Sequence, residues 1–170
     1  MIRGKFLTSM EDVSACLALR AEVFGQREGA RDEYDRMAVY ALVFDEQNRP
    51  GGAGRLYIGD DSRFTIDRVG VREEMRGGGL GDLLMRMLLY RALELNCPGV
   101  QLTCPVDKAG FFARYGLSAR GAAFEQGGAL CRVMYAEREQ IDIEGSCSRG
   151  KKCAGCGDDC ASCAQREEGL

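Results

Sequence analysis

Residues 67–81 read Asp67-Arg-Val-Gly-Val-Arg-Glu-Glu-Met-Arg-Gly-Gly-Gly-Leu-Gly81, and the order of residue types in that run decides the fold. A β-rich segment ends at Val71, and a glycine-packed turn follows. A helix with apolar periodicity then begins, with Leu80, Leu83, Leu84, Met87 and Leu88 on one stripe. Strand, glycine turn and helix start together make an anion site. The first N–H groups of a helix lack internal partners, and the helix dipole adds partial positive charge there. Glycines let a pyrophosphate approach those groups without Cβ clashes, and Arg76 adds a charge-assisted contact. A dinucleotide fingerprint fits poorly, since no later βαβ unit supplies a ribose-binding acid, and the Gly-Lys-Ser/Thr end of a Walker loop is absent. The pattern from Arg76 through Gly79 to Gly81 is R-x-x-G-x-G; its bland counterpart is a structural helix-entry turn.

Composition bounds the function. At 170 residues the chain reads as one domain by length, with enough apolar content for a core. A net charge of -3 argues against a nucleic-acid partner, which normally needs a basic face. No apolar run is long enough to span a bilayer and the start lacks a signal-peptide core, so the expected location is cytoplasmic, with no membrane partner. Histidine is absent. A general base must then be a carboxylate, a thiolate, a tyrosine or a water, and any metal site must rely mainly on sulfur.

The rest of the chain alternates strands and helices. Residues 4–8 read as a strand and residues 10–24 as an amphipathic helix carrying Val13, Cys16, Leu17, Leu19 and Val23. A polar stretch over 26–36 is a loop or a short helix. Strands are expected over 39–44, 54–58, 64–71 and 100–103, with hairpin signals at 46–52 and 59–62. Asp107 reads as the cap of a helix reaching about Tyr115, and a closing hairpin turns at Gly127-Gly128.

This order, with its R-x-x-G-x-G loop, resembles the acetyl-CoA-dependent N-acyltransferases of the GNAT superfamily, and most closely the ElaA-like branch. The motifs that carry the resemblance run in order through residues 1–137: Arg20 to Phe24 with Gln26, the acidic run Asp32-Glu33-Tyr34-Asp35, Arg68-Val69, Leu102-Thr103, residues 111–117 (FFARYGL), and Met134. The fold class it implies is α/β, a GNAT fold. Its mixed, mostly antiparallel sheet is splayed between the fourth and fifth strands and flanked by helices. In that geometry Val69, Gly70 and Val71 contact the pantetheine arm of acetyl-CoA. The N–H groups of Arg76, Gly77, Gly78, Gly79, Leu80, Gly81 and Asp82 hold its pyrophosphate. The acceptor is a small-molecule or peptide amine, and a homodimer is an expectation from the same resemblance.

Catalytic candidates follow partly from the resemblance and partly by elimination. The family's leaving-group acid, a tyrosine four residues before the Gly of the helix end, falls on Phe112, which leaves Phe112 as a coenzyme contact. Tyr115, about one helical turn along, either presents the acidic hydroxyl or is a helix-end residue of the core. Asp67 and Glu33 are base candidates, with Asp35 and Glu125 in reserve. By strand alternation, Asp67 and Arg68 should face opposite sides of the sheet. An arginine within an apolar strand needs a partner, which makes Arg68 either a site residue or one end of a structural ion pair. Cys16, Cys97, Cys104 and Cys131 read as core thiols.

Residues 138–170 form a second unit, a Cys-rich tail in which apolar periodicity disappears. Cys153, Cys156, Cys160 and Cys163 follow a C-x2-C-x3-C-x2-C spacing, with Cys147 upstream. Four thiolates without histidine suit an all-sulfur zinc site or an iron–sulfur cluster. A reduced, unliganded tail and a disulfide-linked one are the competing readings. Two functions are thus expected: an N-acetyltransferase, or a non-catalytic CoA-binding or metal- or redox-sensing protein that uses the tail.

Overall fold

The runs of β-branched and aromatic residues at 39–44 and 64–71 form strands over those same bounds in a computed structural model of the protein, which describes residues 1–144. The strands are β1 (Arg3–Thr8), β2 (Val39–Phe44), β3 (Pro50–Ile58), β4 (Phe64–Val71), β5 (Gly99–Pro105), β6 (Ser118–Gln126) and β7 (Ala129–Glu137). The helices are α1 (Ser14–Gly29), α2 (Leu80–Glu94) and the short α3 (Ala109–Ala113), joined by 3-10 turns that include Glu33–Arg36 and Glu73–Met75. All seven strands lie in one sheet in the order β1-β2-β3-β4-β5-β7-β6. Only β4 and β5 run parallel, as the α2 crossover between them requires.

Each sheet face carries its own core. Leu80, Leu84, Leu88 and Leu89 of α2 close over Ala41, Val43, Leu56, Ile66 and Val100, all buried. Cys16 and Leu19 of α1 close over Leu7, Tyr40, Leu42 and Ala53 on the other face. The buried stripe of α2 is rotated from the sequence expectation. Met85, Leu89 and Ala92 are buried, whereas Leu83 and Met87 lie at the edge, because α2 crosses several strands and presents a wide face.

Four element boundaries differ from expectation. The first helix starts at Ser14, not Met10, because residues 8–12 are held in a turn: Glu11 accepts from the Thr8 N–H at 2.7 Å and Asp12 from the Ser14 N–H at 3.0 Å. That helix then runs past Phe24 to Gly29 across a kink at Gly25, whose φ of 84° no helix interior supports. Asp107 caps nothing; it sits in a 3-10 turn, and α3 opens at Ala109 without a side-chain cap. The third strand begins at Pro50 rather than Gly54. Pro50 lacks an N–H and stands as first residue of its strand, where no ladder donor is lost.

Candidate active site

Strands β4 and β5 pair at Phe64↔Val100 and Thr65↔Gln101 and then separate, so the sheet opens from Ile66 and Leu102 onward. On its other side β4 stays paired with β3, though not regularly. Arg55 faces Asp67 and Ala53 faces Gly70, so Gly54 alone stands opposite both Arg68 and Val69. That is a β-bulge, and Arg68 occupies its left-handed position at φ 52°. A left-handed φ at a non-glycine residue is uncommon and costs about 1 kcal/mol or more. The bulge overturns the expected alternation: Asp67 and Arg68 both face α1. Asp67 bonds Arg55, and Arg68 reaches Glu28 of α1. Val69 turns back to pack against the α2 core. Gly70 faces α1 again, and a Cβ there would lie 2.7 Å from Val23 and 3.1 Å from Phe24. Only glycine admits the helix this close.

At the open end of β4 the chain turns into α2. Gly77 and Gly79 hold φ of 80° and 83°, so the loop is built on positive φ at two glycines, with Gly79 as N-cap of α2. Arg76, Gly77, Gly78 and Gly79 are exposed, and the Arg76 Nε donates to the Val71 carbonyl at 3.2 Å, which ties the loop to the strand end. Leu80 and Gly81 are buried, anchoring the first turn of a 15-residue helix. The unpaired gap, the exposed glycine loop and the helix N-terminus therefore share one end of the sheet. That arrangement fits a phosphate-bearing chain running along β4.

The α1 side carries a buried charge network that sequence reasoning located only in part. Arg55, 1% exposed, donates to Asp67 at 2.6 and 3.0 Å, to Asp32 at 2.6 and 2.7 Å, and to Asp35 at 2.7 Å. Arg20 donates to both oxygens of Asp35 at 2.9 Å and to the Gly29 and Ala30 carbonyls. The Tyr40 hydroxyl adds a 2.5 Å bond to Asp35, and Tyr57 packs against Arg55 with its ring stacked on Tyr34. Burial alone would push the Asp35 pKa up. Bonds from Arg20, Tyr40 and the Asp32 N–H outweigh it and hold that carboxyl well below the usual range. Arg55 holds Asp32 low in the same way, and burial with the neighbouring Asp35 raises the Tyr40 hydroxyl.

The candidate residues thus divide between the two faces. Asp67 and Arg68 lie on the α1 side, and Glu33 is exposed in the 3-10 turn that also supplies Asp35. Tyr115 and Phe112 belong to the α2 core. Tyr115 is fully buried, and its hydroxyl donates to Asp82 in the first turn of α2 at 2.5 Å. Burial, reinforced by Asp82, raises its pKa, the opposite of what an open proton donor needs. Asp82 also holds Arg86 at 2.8 Å and lies 3.8 Å from Arg114. Cys16, Cys97, Cys104 and Cys131 are buried free thiols, and burial pushes Cys16 and Cys104 up to about 11. The tail cysteines Cys147, Cys153, Cys156, Cys160 and Cys163 lie outside the described residues.

Among the residues missed, Arg55 carried the clearest signal. It stands in the apolar run Gly-Gly-Ala-Gly-Arg-Leu-Tyr-Ile, where a guanidinium needs a buried partner even more than at Arg68.

Comparison with known proteins agrees with this geometry. The model of the Acetyltransferase (GNAT) family matches residues 10–116. Among solved structures, Escherichia coli ElaA is similar at 23% identity and a TM-score of 0.71, over 81% of this chain and 100% of that one. An acyl-CoA N-acyltransferase from Pseudomonas aeruginosa is similar at 21% identity and a TM-score of 0.69, over 80% of this chain and 99% of that one. A GNAT family acetyltransferase from Elizabethkingia anophelis, solved with acetyl-CoA bound, is similar at 16% identity and a TM-score of 0.62, over 80% and 97% of the two chains.

Proposed function

Because the chain belongs to the GNAT acetyltransferase family, whose members transfer acyl groups from CoA thioesters, we propose that it moves an acetyl group from acetyl-CoA to a primary amine. The observation that carries this reading is the β4–β5 gap opening directly onto the exposed glycine loop at the start of α2. Acetyl-CoA, once bound, supplies the activated acyl group.

The chain's own residues do the rest. N–H groups from Gly77 to Asp82 face the pyrophosphate; the expected Arg76 N–H is already spent on the Glu73 carbonyl at 3.2 Å, and Arg76 contributes its guanidinium instead. Backbone groups of Val69, Gly70 and Val71 run along the pantetheine, and Phe112 walls the α2 side. Arg68, held by the bulge on the α1 side of the gap, is the cation that an acceptor meets as it approaches the thioester. As the new N–C bond forms the C–S bond breaks, and the amine proton leaves through water to a carboxylate on the α1 side. Glu33 is the exposed candidate for that base. Asp67, bound through both oxygens by Arg55, serves better to hold the bulge in place. Tyr115, enclosed on Asp82, fixes the first turn of α2; a thiolate is a good enough leaving group to depart without a strong acid.

The enclosure of Tyr115 favours a second reading, a CoA-binding protein that transfers nothing. Thiol release from acetyl-CoA over a panel of primary amines separates the two. Amine-dependent release supports transfer, and binding without release supports the second reading. The cytoplasmic and metal-binding expectations do not enter this choice; among the described residues no helix is long and apolar enough to cross a membrane.

A further inference from the structure

A small pocket between α1 and the sheet is lined by three guanidinium groups, those of Arg20, Arg55 and Arg68, beside Cys16 and Tyr40. Arg55 makes five hydrogen bonds with its five donors, and Arg20 makes four. Arg20 and Arg55 place their donors on Asp32, Asp35, Asp67 and the carbonyls that end α1. Arg68 differs. Its charged contact is with Glu28 at 3.5 Å, a residue whose side chain is 58% exposed, and its Nε is buried without a partner among the described residues. Leaving a buried donor unmade costs about 1–3 kcal/mol. A left-handed backbone holds this underused guanidinium two residues past Ile66, where the sheet opens.

A guanidinium presents a planar fork of N–H donors that matches the two oxygens of a carboxylate. On the approach to the thioester the same cation repels an incoming ammonium group, so a simple alkylamine is a poor fit. An acceptor that carries its own carboxylate neutralises Arg68 on arrival and displaces the loose Glu28. In an α-amino acid the amine and carboxylate share one carbon, so anchoring the carboxylate on Arg68 also fixes the direction of the amine.

We propose that Arg68 anchors the carboxylate of the acceptor, and that the acceptors are free amino acids rather than simple amines. This rests on the acetyl-transfer reading above and deepens it.

The test is calorimetric titration of the full chain, saturated with CoA, using a panel of N-acetyl-amino acids and the matching N-acetyl-amino acid carboxamides. These are product analogues, so no turnover is needed. The acids are expected to bind about tenfold or more tightly than the amides. In Arg68→Gln the two should bind alike, while Arg68→Lys should keep part of the preference. Glu28→Gln, an exposed change that releases Arg68 from its ion pair, should tighten acid binding. Equal affinity for acids and amides in the wild type overturns the proposal, as does a preference that survives in Arg68→Gln. Should Arg68→Gln not fold, unchanged or weaker acid binding in Glu28→Gln overturns it instead. Wild-type protein that fails to bind acetyl-CoA at all sinks the transfer reading and this anchor with it. Normal acetyl-CoA binding without acid preference removes the anchor alone.

Discussion

The two faces of the sheet are held by different physics. On the α2 face, apolar side chains pack against Ile66, Leu56 and Val100, and the groups proposed to bind the coenzyme are backbone N–H donors at a helix end. On the α1 face, two buried arginines and three aspartates replace much of the apolar packing, and the groups proposed to act are side chains. The first face tolerates change wherever shape is kept. On the second, Arg55 pairs with three carboxylates and Arg20 with one of them, so losing Arg55 strands the others.

Breaking the network should give the largest effect. Arg55→Met leaves Asp32, Asp35 and Asp67 without their shared cation and is expected to cost about 3–5 kcal/mol in chemical denaturation. A cost under about 1 kcal/mol would mean that solvent reaches the network and screens it. The same carboxyls set a pH dependence. Asp32 and Asp35 titrate below their ordinary value of 3.8 in the folded protein. The stability they contribute is therefore complete above that value and falls as pH drops beneath it. Denaturation midpoints that stay level from neutral pH down through the acid range would contradict this.

On the other face, Arg76→Glu should cost about 1 kcal/mol of stability, the worth of the bond from the exposed Arg76 to the Val71 carbonyl. It should weaken acetyl-CoA binding about tenfold or more by setting a negative charge against the pyrophosphate. Gly79→Ala forces a Cβ into a φ of 83° and should cost about 1 kcal/mol, with a matching loss of coenzyme affinity. Tyr115→Phe sharpens the comparison most finely. Removing the bond to Asp82 should cost about 1 kcal/mol of stability. If it instead abolishes transfer while acetyl-CoA binding persists, Tyr115 is the proton donor and the role given to it here is wrong.

Legibility followed the same division. On the α2 face the order of strand, loop and helix was legible, though not the buried stripe of the helix, because a glycine loop before an apolar-periodic helix is a local pattern and needs no knowledge of distant residues. The strands at 39–44 and 64–71 were legible for the same reason. The α1 face depends on partners far apart in the chain, Arg20 with Asp35 and Arg55 with Asp32 and Asp67, and nothing local announces such pairing. The bulge at Arg68 was hidden because it is a register shift against β3, a property of two strands, and period-two alternation assumes none. Tyr115 reads in the sequence as either an acid or a core residue. Its bond to Asp82 links residues 33 positions apart and lay beyond any helical spacing rule.

The central claim is that the β4–β5 gap and the glycine loop together form the acetyl-CoA site. Calorimetric titration of the full chain with acetyl-CoA, run beside Arg76→Glu, tests it most directly. One-site saturable binding that weakens about tenfold or more in the variant is the predicted result. No saturable binding by the wild type, or equal affinity in the two proteins, would contradict it.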